Sequence, residues 1–330
     1  MPRPLKFGLY IANSGPLATP ELIRDLAEEA ERRGYDGVWC NEHPIPAHEP
    51  DYEWPPGRPW KLVKWSYVPS YGVQTTLAYV AGRTTKVRLG CSVHPMPYYN
   101  AVMLAKMIAT LDQLSGGRAI LGTAVGWNRQ EMEAIGFKDF EARGAYTDES
   151  IECIRALWTE KTPSFHGRWY NFDEVDFEPK PVQKPHPPIW IGGESKPTIR
   201  RVAKYGTGWL LSHMSPDFLR EHVPLLRKRL AENGRADDEI EIGCFYNVKM
   251  LKNGKRVDAV EDTRVSGSGT WLSGPAEAYL KDLAVYAECG ITYPILRIHG
   301  DDHDDVLKQL QMFDEEVRAR LVPSPAGRGG

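Results

Sequence analysis

The chain has 330 residues, 42% of them hydrophobic and 26% charged, a balance that excludes a mainly disordered protein. Lys and Arg number 41 against 44 Asp and Glu, a net charge of −3, so no positive excess exists to neutralise a nucleic-acid backbone or an anionic membrane. The length suits one large α/β barrel as well as two ordinary domains.

Met1 to Lys6 runs directly into Phe7-Gly8-Leu9-Tyr10-Ile11, too short an apolar stretch for a signal-peptide core or a membrane span, and the expectation is a cytoplasmic protein. From there, short apolar strands alternate with amphipathic helices, the pattern of parallel strands joined by crossovers. Eight strands are predicted: Lys6–Ile11, Gly37–Cys40, Val87–Val93, Ala119–Thr123, Pro188–Ile191, Gly208–Leu211, Glu241–Lys249 and Tyr293–Ile298. Thr19-Pro20-Glu21 and Ser215-Pro216-Asp217 place a capping hydroxyl, a first-turn proline and an acid in the order that starts a helix. Val306, Leu310, Phe313, Val317 and Leu321 recur every three or four residues, as a last helix laid on a barrel wall requires. The joints at Gly34, Gly206 and Gly290 each offer a glycine for the left-handed position after a helix end. These repeats favour a single (β/α)8 TIM barrel over residues 1–322 with a disordered tail at 323–330. An open doubly wound sheet alternates in the same way, but no Gly-x-Gly-x-x-Gly follows the first strand.

Three insertions break the alternation: residues 44–69, 160–187 and 252–272. The first and third follow the second and seventh strands, on the face where barrel active sites are built, and are expected to shape or cover the pocket. The five cysteines (Cys40, Cys91, Cys153, Cys244, Cys289) are odd in number and scattered, which predicts buried free thiols rather than disulfides or a zinc site.

Barrel enzymes draw their chemistry from strand C-termini, so the polar residues there are the candidates. They are Asn41, Glu42 and His43 after the second strand, Ser92, Val93 and His94 at the third, and Gly126, Trp127 and Asn128 after the fourth. Gly192 and Gly193 follow the fifth, His213 the sixth and His299 the eighth. His43 can serve as acid or base near neutral pH, or can be a histidine bonded to a neighbouring loop. Several histidines on one rim also raise a metal-dependent hydrolase, although no His-x-His pair ends the first strand. Ile191-Gly192-Gly193-Glu194-Ser195 passes from a strand into a helix start that can receive a phosphate, or is simply a tight turn.

Together these segments resemble the luciferase-like monooxygenase family, which includes bacterial luciferase and the deazaflavin (coenzyme F420)-dependent oxidoreductases. The resemblance rests on Arg88-Leu89-Gly90-Cys91-Ser92-Val93, on the run from Ala105 through Leu114-Ser115-Gly116-Gly117-Arg118, on Gly122 to Asn128, and on Trp190-Ile191-Gly192-Gly193. It implies a ring cofactor at the barrel top, coenzyme F420 or alternatively FMN. His43 and Glu42 would be catalytic, and Asn41, Cys91, Ser92, Val93, Gly126, Trp127, Asn128, Gly192 and Gly193 would bind the cofactor. It also implies a non-proline cis bulge at Ser92-Val93 and a phosphate on Gly192, Gly193 and the adjoining helix start. Pro44 stands where luciferase has a second histidine, which argues against a light reaction. Trp127 stands where deazaflavin sugar-phosphate dehydrogenases carry an acid, which argues against glucose 6-phosphate. The expected reaction is hydride transfer to or from a small organic substrate, with FMN-dependent monooxygenation as the alternative and a non-catalytic flavin-binding barrel behind it. Tyr52, Trp54, Trp60, Trp65 and Tyr67 point to an apolar or planar substrate, and a homodimer is expected.

Overall fold

The computed structural model describes residues 4–45, 69–212, 214–251 and 271–322. The aromatic cluster between Tyr52 and Tyr67, His213, residues 252–270 of the third insertion and the tail at 323–330 lie outside the described residues.

Eight parallel strands close into a barrel: β1 (Gly8–Tyr10), β2 (Gly37–Cys40), β3 (Arg88–Cys91), β4 (Ala119–Ala124), β5 (Ile189–Gly192), β6 (Gly208–Ser212), β7 (Glu241–Met250) and β8 (Tyr293–Ile298). Closure is direct, since β1 pairs with β2 through Gly8 and Gly37 and with β8 through Gly8 and Ile295. Outside the ring run α1 (Pro20–Arg32), α2 (Val73–Ala81), α3 (Ala101–Ser115), α4 (Arg143–Thr159), α5 (Lys196–Tyr205), α6 (Pro216–Glu232), α7 (Ala276–Glu288) and α8 (His303–Phe313). A short strand at Trp271–Gly274 extends the sheet beside the C-terminal half of β7. The third strand is shorter than its apolar run because the chain leaves the ladder at Ser92-Val93 and resumes pairing, with β4, at His94–Pro95.

The core has two shells. One fills the barrel with Tyr10, Trp39, Ile120, Trp190, Leu210, Phe245, Tyr293 and Ile295. Trp39 and Trp190 lie 5.0 Å apart between ring centroids, and Tyr293 meets Trp190 edge-on at 5.1 Å. Rings of this size fit only because the neighbouring strands are bare where the rings lie: a Cβ on Gly90 would stand 2.6 Å from the Trp39 ring, and one on Gly208 2.3 Å from Trp190. The second shell, between barrel and helices, takes the periodic faces, including Val306, Leu310, Phe313 and Val317. All five cysteines are buried and free.

The predicted helix starts are present, with Thr19 Oγ1 accepting from Leu22 N and Ser215 Oγ from Phe218 N. Gly34 and Gly290 are left-handed, at φ +71° and +103°. Gly206 is not: its φ is −81°, and it is glycine because a Cβ there would come within 3.1 Å of Val202 backbone atoms. The 160–187 insertion braces α3 and α4 rather than the strand ends. It forms a hairpin of Phe165–His166 and Asn171–Phe172, Lys180 Nζ caps the Leu157 carbonyl, and the Gln183 amide bonds Asp112.

Candidate active site

The carboxyl ends of the strands form a mouth whose floor is the top of the barrel core. Val93 packs onto that core, and its Cγ1 would lie 2.7 Å from a Cβ on Gly192, so the glycine at the end of β5 is what admits Val93 as an apolar ledge. The Ser92-Val93 peptide that carries this ledge is cis, where the resemblance placed it.

After β2 the three consecutive candidates part company. Asn41 Oδ1 accepts from Tyr10 Oη at 2.7 Å and Ser14 Oγ at 2.9 Å, while the wholly buried Asn13 bonds both Asn41 backbone groups, so this strand end is clamped to that of β1. Glu42 is buried below the rim, where Tyr99 Oη donates to it and the Val73 backbone at the start of α2 adds a further bond. Burial pushes its carboxyl up from the ordinary value, and the Tyr99 bond opposes the shift. His43 lies at the mouth, its side chain 15% exposed, with Nδ1 3.1 Å from Glu131 Oε2 and the ring edge-on to Trp127 at 6.0 Å.

The loop after β4 makes this pairing possible. Gly126 turns at φ +73°, and Asn128 caps the short helix Arg129–Ala134, its Oδ1 accepting from Glu131 N. Asn128 is thus engaged as a cap, and the residue its helix delivers is Glu131. Glu131 is not among the candidates drawn from the sequence. The signal was present in the Asn128-x-x-Glu131 spacing, which reads as a helix start with an acid in its first turn.

Two other candidates turn out to be buried supports. His94 is wholly buried, with Nδ1 3.0 Å from the Gly122 carbonyl and Nε2 2.7 Å from Gln74 Nε2. A carbonyl can only accept, so Nδ1 carries the hydrogen and Nε2 accepts from the amide. Burial lowers the His94 pKa to about 4. The Cys91 thiol is buried in the outer shell beside Cys40, and burial raises its pKa.

At the end of β5, next to the Val93 ledge, Gly193 turns at φ +119° and delivers the chain to Ser195, which caps α5. The Trp209 indole donates to the Gly193 carbonyl at 2.8 Å and fixes the turn. Within the first turn of α5, Pro197 has no N–H and Thr198 N is bonded to Ser195 Oγ, so Lys196 N and the helix dipole are what this helix start offers an anion. Beside β1, β7 and β8 lies a cavity of about 320 Å³ lined by Tyr10, Ser14, Lys249, Arg297 and His299 among others. His299 Nε2 is bonded to Asn247 Oδ1 at 2.8 Å. Among the described residues no group of three His, Cys, Asp or Glu side chains could hold a metal ion, and no helix is long and apolar enough to cross a membrane.

Comparison with known proteins agrees with the fold. A relative from Kineococcus radiotolerans, named as an F420-dependent glucose-6-phosphate dehydrogenase, is 31% identical over 267 residues, covering 79% of this chain and 72% of its own. An FMNH(2)-dependent dimethylsulfone monooxygenase from Pseudomonas putida is 27% identical, and the match covers 72% of this chain and 64% of the relative. The solved structure of a coenzyme F420-dependent tetrahydromethanopterin reductase from Methanopyrus kandleri superposes with a TM-score of 0.75 at 18% identity, over 97% of this chain and all of that one, and so shares the fold. The model of the luciferase-like monooxygenases matches residues 7–264, and the chain belongs to that family.

Proposed function

We propose that the protein is a coenzyme F420-dependent oxidoreductase that moves a hydride between the deazaflavin and a small organic substrate. The observation that carries this reading is what the strand ends present together: an apolar ledge at Val93, a glycine turn next to it that leads into a capped helix start, and a histidine held by a carboxylate after β2. These residues fit a planar ring with a phosphorylated tail. Val93 and Trp127 would bound the ring, and the Gly192-Gly193 turn with the α5 N-terminus would hold the phosphate.

Bound there, the deazaflavin supplies the carbon that gives or takes the hydride. The chain's own task is positional. Nδ1 of His43 is engaged by Glu131, and proton exchange with the substrate would run through Nε2. Asn41, clamped by Tyr10, Ser14 and Asn13, fixes the strand end from which His43 projects. Trp127, edge-on to the imidazole, limits the directions from which water reaches it.

The FMN monooxygenase reading remains the second one, favoured by the dimethylsulfone monooxygenase relative and by a ledge and turn that suit either ring. Separate titrations of the protein with coenzyme F420 and FMN, followed by tryptophan fluorescence and repeated on His43→Ala, test the choice. Selective F420 binding supports the hydride reading, FMN preference moves the protein to the monooxygenase branch, and binding of neither refutes the cofactor assignment.

Residues 1–322 are proposed to act as one cytoplasmic barrel domain that pairs with a second copy through α3. Met103, Met107 and Leu114 stand exposed along one face of that helix, with Tyr79 exposed on adjoining α2. An apolar stripe of this kind is self-complementary across a two-fold axis.

A further inference from the structure

We infer that Glu131 is a positioning residue that holds His43 in one tautomer, with the hydrogen on Nδ1, and so decides which nitrogen faces the reaction. Only the placing of proton exchange at Nε2 rests on the oxidoreductase reading; the tautomer itself follows from the hydrogen bonds.

The Glu131 side chain is wholly buried, and a buried carboxylate persists only where donors surround it. Here the donors come from two other βα segments. Tyr98 Oη, in the turn after β3, donates to Oε2 at 2.5 Å, and Ile45 N, after β2, donates to Oε1 at 3.2 Å. His43 Nδ1 meets Oε2 at 3.1 Å. The tyrosine hydroxyl and the backbone amide already use the carboxylate as an acceptor, so the hydrogen of the third contact belongs to the imidazole. A Glu in the third position of a helix commonly reaches back to its own cap residue. Glu131 instead spans the mouth to the ends of two other strands, and its reach fixes the orientation of the ring as well as its tautomer.

Glu131 also bears on the tryptophan at position 127. An acid is present after the fourth strand, displaced four residues onto the short helix. It points at the histidine rather than standing in the position Trp127 occupies. The chain thus concentrates proton exchange on one imidazole backed by a carboxylate, instead of dividing it between a histidine and a separate acid.

Histidine-labelled full-length protein without cofactor, with His43 assigned by loss of its signal in His43→Asn, gives the test by nitrogen-15 NMR above the titration range of imidazole. The expected result is a protonated Nδ1 and a bare Nε2 in the wild type, and loss of that preference in Glu131→Leu. In the same variant, turnover with coenzyme F420 should fall by about 10–100-fold with cofactor affinity little changed. A wild-type His43 carrying its hydrogen on Nε2 overturns the inference even if the variant does not fold, and so does a folded Glu131→Leu that keeps the Nδ1–H form or full turnover. Failure of the wild type to bind either F420 or FMN would remove the oxidoreductase reading and leave the tautomer measurement to decide the role of Glu131.

Discussion

His94 gives a stability prediction with a defined sign and window. In the folded protein it is neutral and wholly buried, giving a hydrogen to Gly122 O and taking one from Gln74, and its pKa is lowered from 6.5 to about 4. The unfolded chain therefore takes up this proton first as the pH falls. The contribution is complete above about pH 6.5, is lost progressively on going down towards pH 4, and changes little below that. A difference of this size corresponds to about 3 kcal/mol, of which most is gone by about pH 4.5. Many carboxylates titrate in the same window, so the informative quantity is a difference. His94→Gln keeps an amide donor for Gly122 O and a carbonyl acceptor for Gln74 but cannot titrate. Urea unfolding of both proteins between pH 7.5 and 4.5 should show the stability gap moving by about 2–3 kcal/mol in favour of the variant as the pH falls. A gap that stays constant across that range would refute the assignment of His94 as a neutral structural group.

Three further outcomes follow from the geometry. Arg118 spends all five of its donors on Ser115 O, Thr84 Oγ1, Val87 O, Ala81 O and Thr84 O. Lysine can supply three, so Arg118→Lys should cost roughly 2–4 kcal/mol in chemical denaturation while leaving cofactor affinity in place. Gly193→Ala puts a Cβ 2.9 Å from Thr198 Oγ1 at a φ of +119°, and should weaken binding of the phosphorylated cofactor by at least about tenfold in a fluorescence titration, with the barrel intact by circular dichroism. Leu114→Glu combined with Met107→Glu should convert the proposed dimer to monomer in sedimentation velocity, and an unchanged sedimentation coefficient would move the interface elsewhere.

The barrel was legible in the sequence because its evidence is repeated. Eight apolar runs and the caps at Thr19 and Ser215 each point to the same alternation, and an error at one joint, such as Gly206, leaves the rest standing. The site had no such redundancy. Position after a strand end selected Asn41, Glu42 and His43 together, yet only the structure separates a clamp, a buried carboxyl and an imidazole at the mouth, because the three are told apart by partners 28 to 88 residues away. Part of the family resemblance also proved to mark the scaffold. Leu114-Ser115-Gly116-Gly117-Arg118 lies at the amino-terminal end of β4, where two left-handed glycines swing Arg118 under the carbonyls of Ala81, the last residue of α2, and of Thr84 just beyond it.

That placement explains how the chain can be assigned to a family with ease while its substrate stays beyond the sequence. Arg118 needs all five acceptors in one arrangement, so its motif tolerates little change whatever reaction the barrel performs. The residues that shape the mouth answer to a cofactor and substrate instead. Trp127 and Glu131 lie four residues apart after β4, one before and one inside the short helix, and moving the acid by four residues keeps the fold but changes whether it stands in the pocket or behind His43. Specificity in this chain is therefore to be sought in what borders His43 and Trp127, and the tautomer of His43 is the property from which that search should begin.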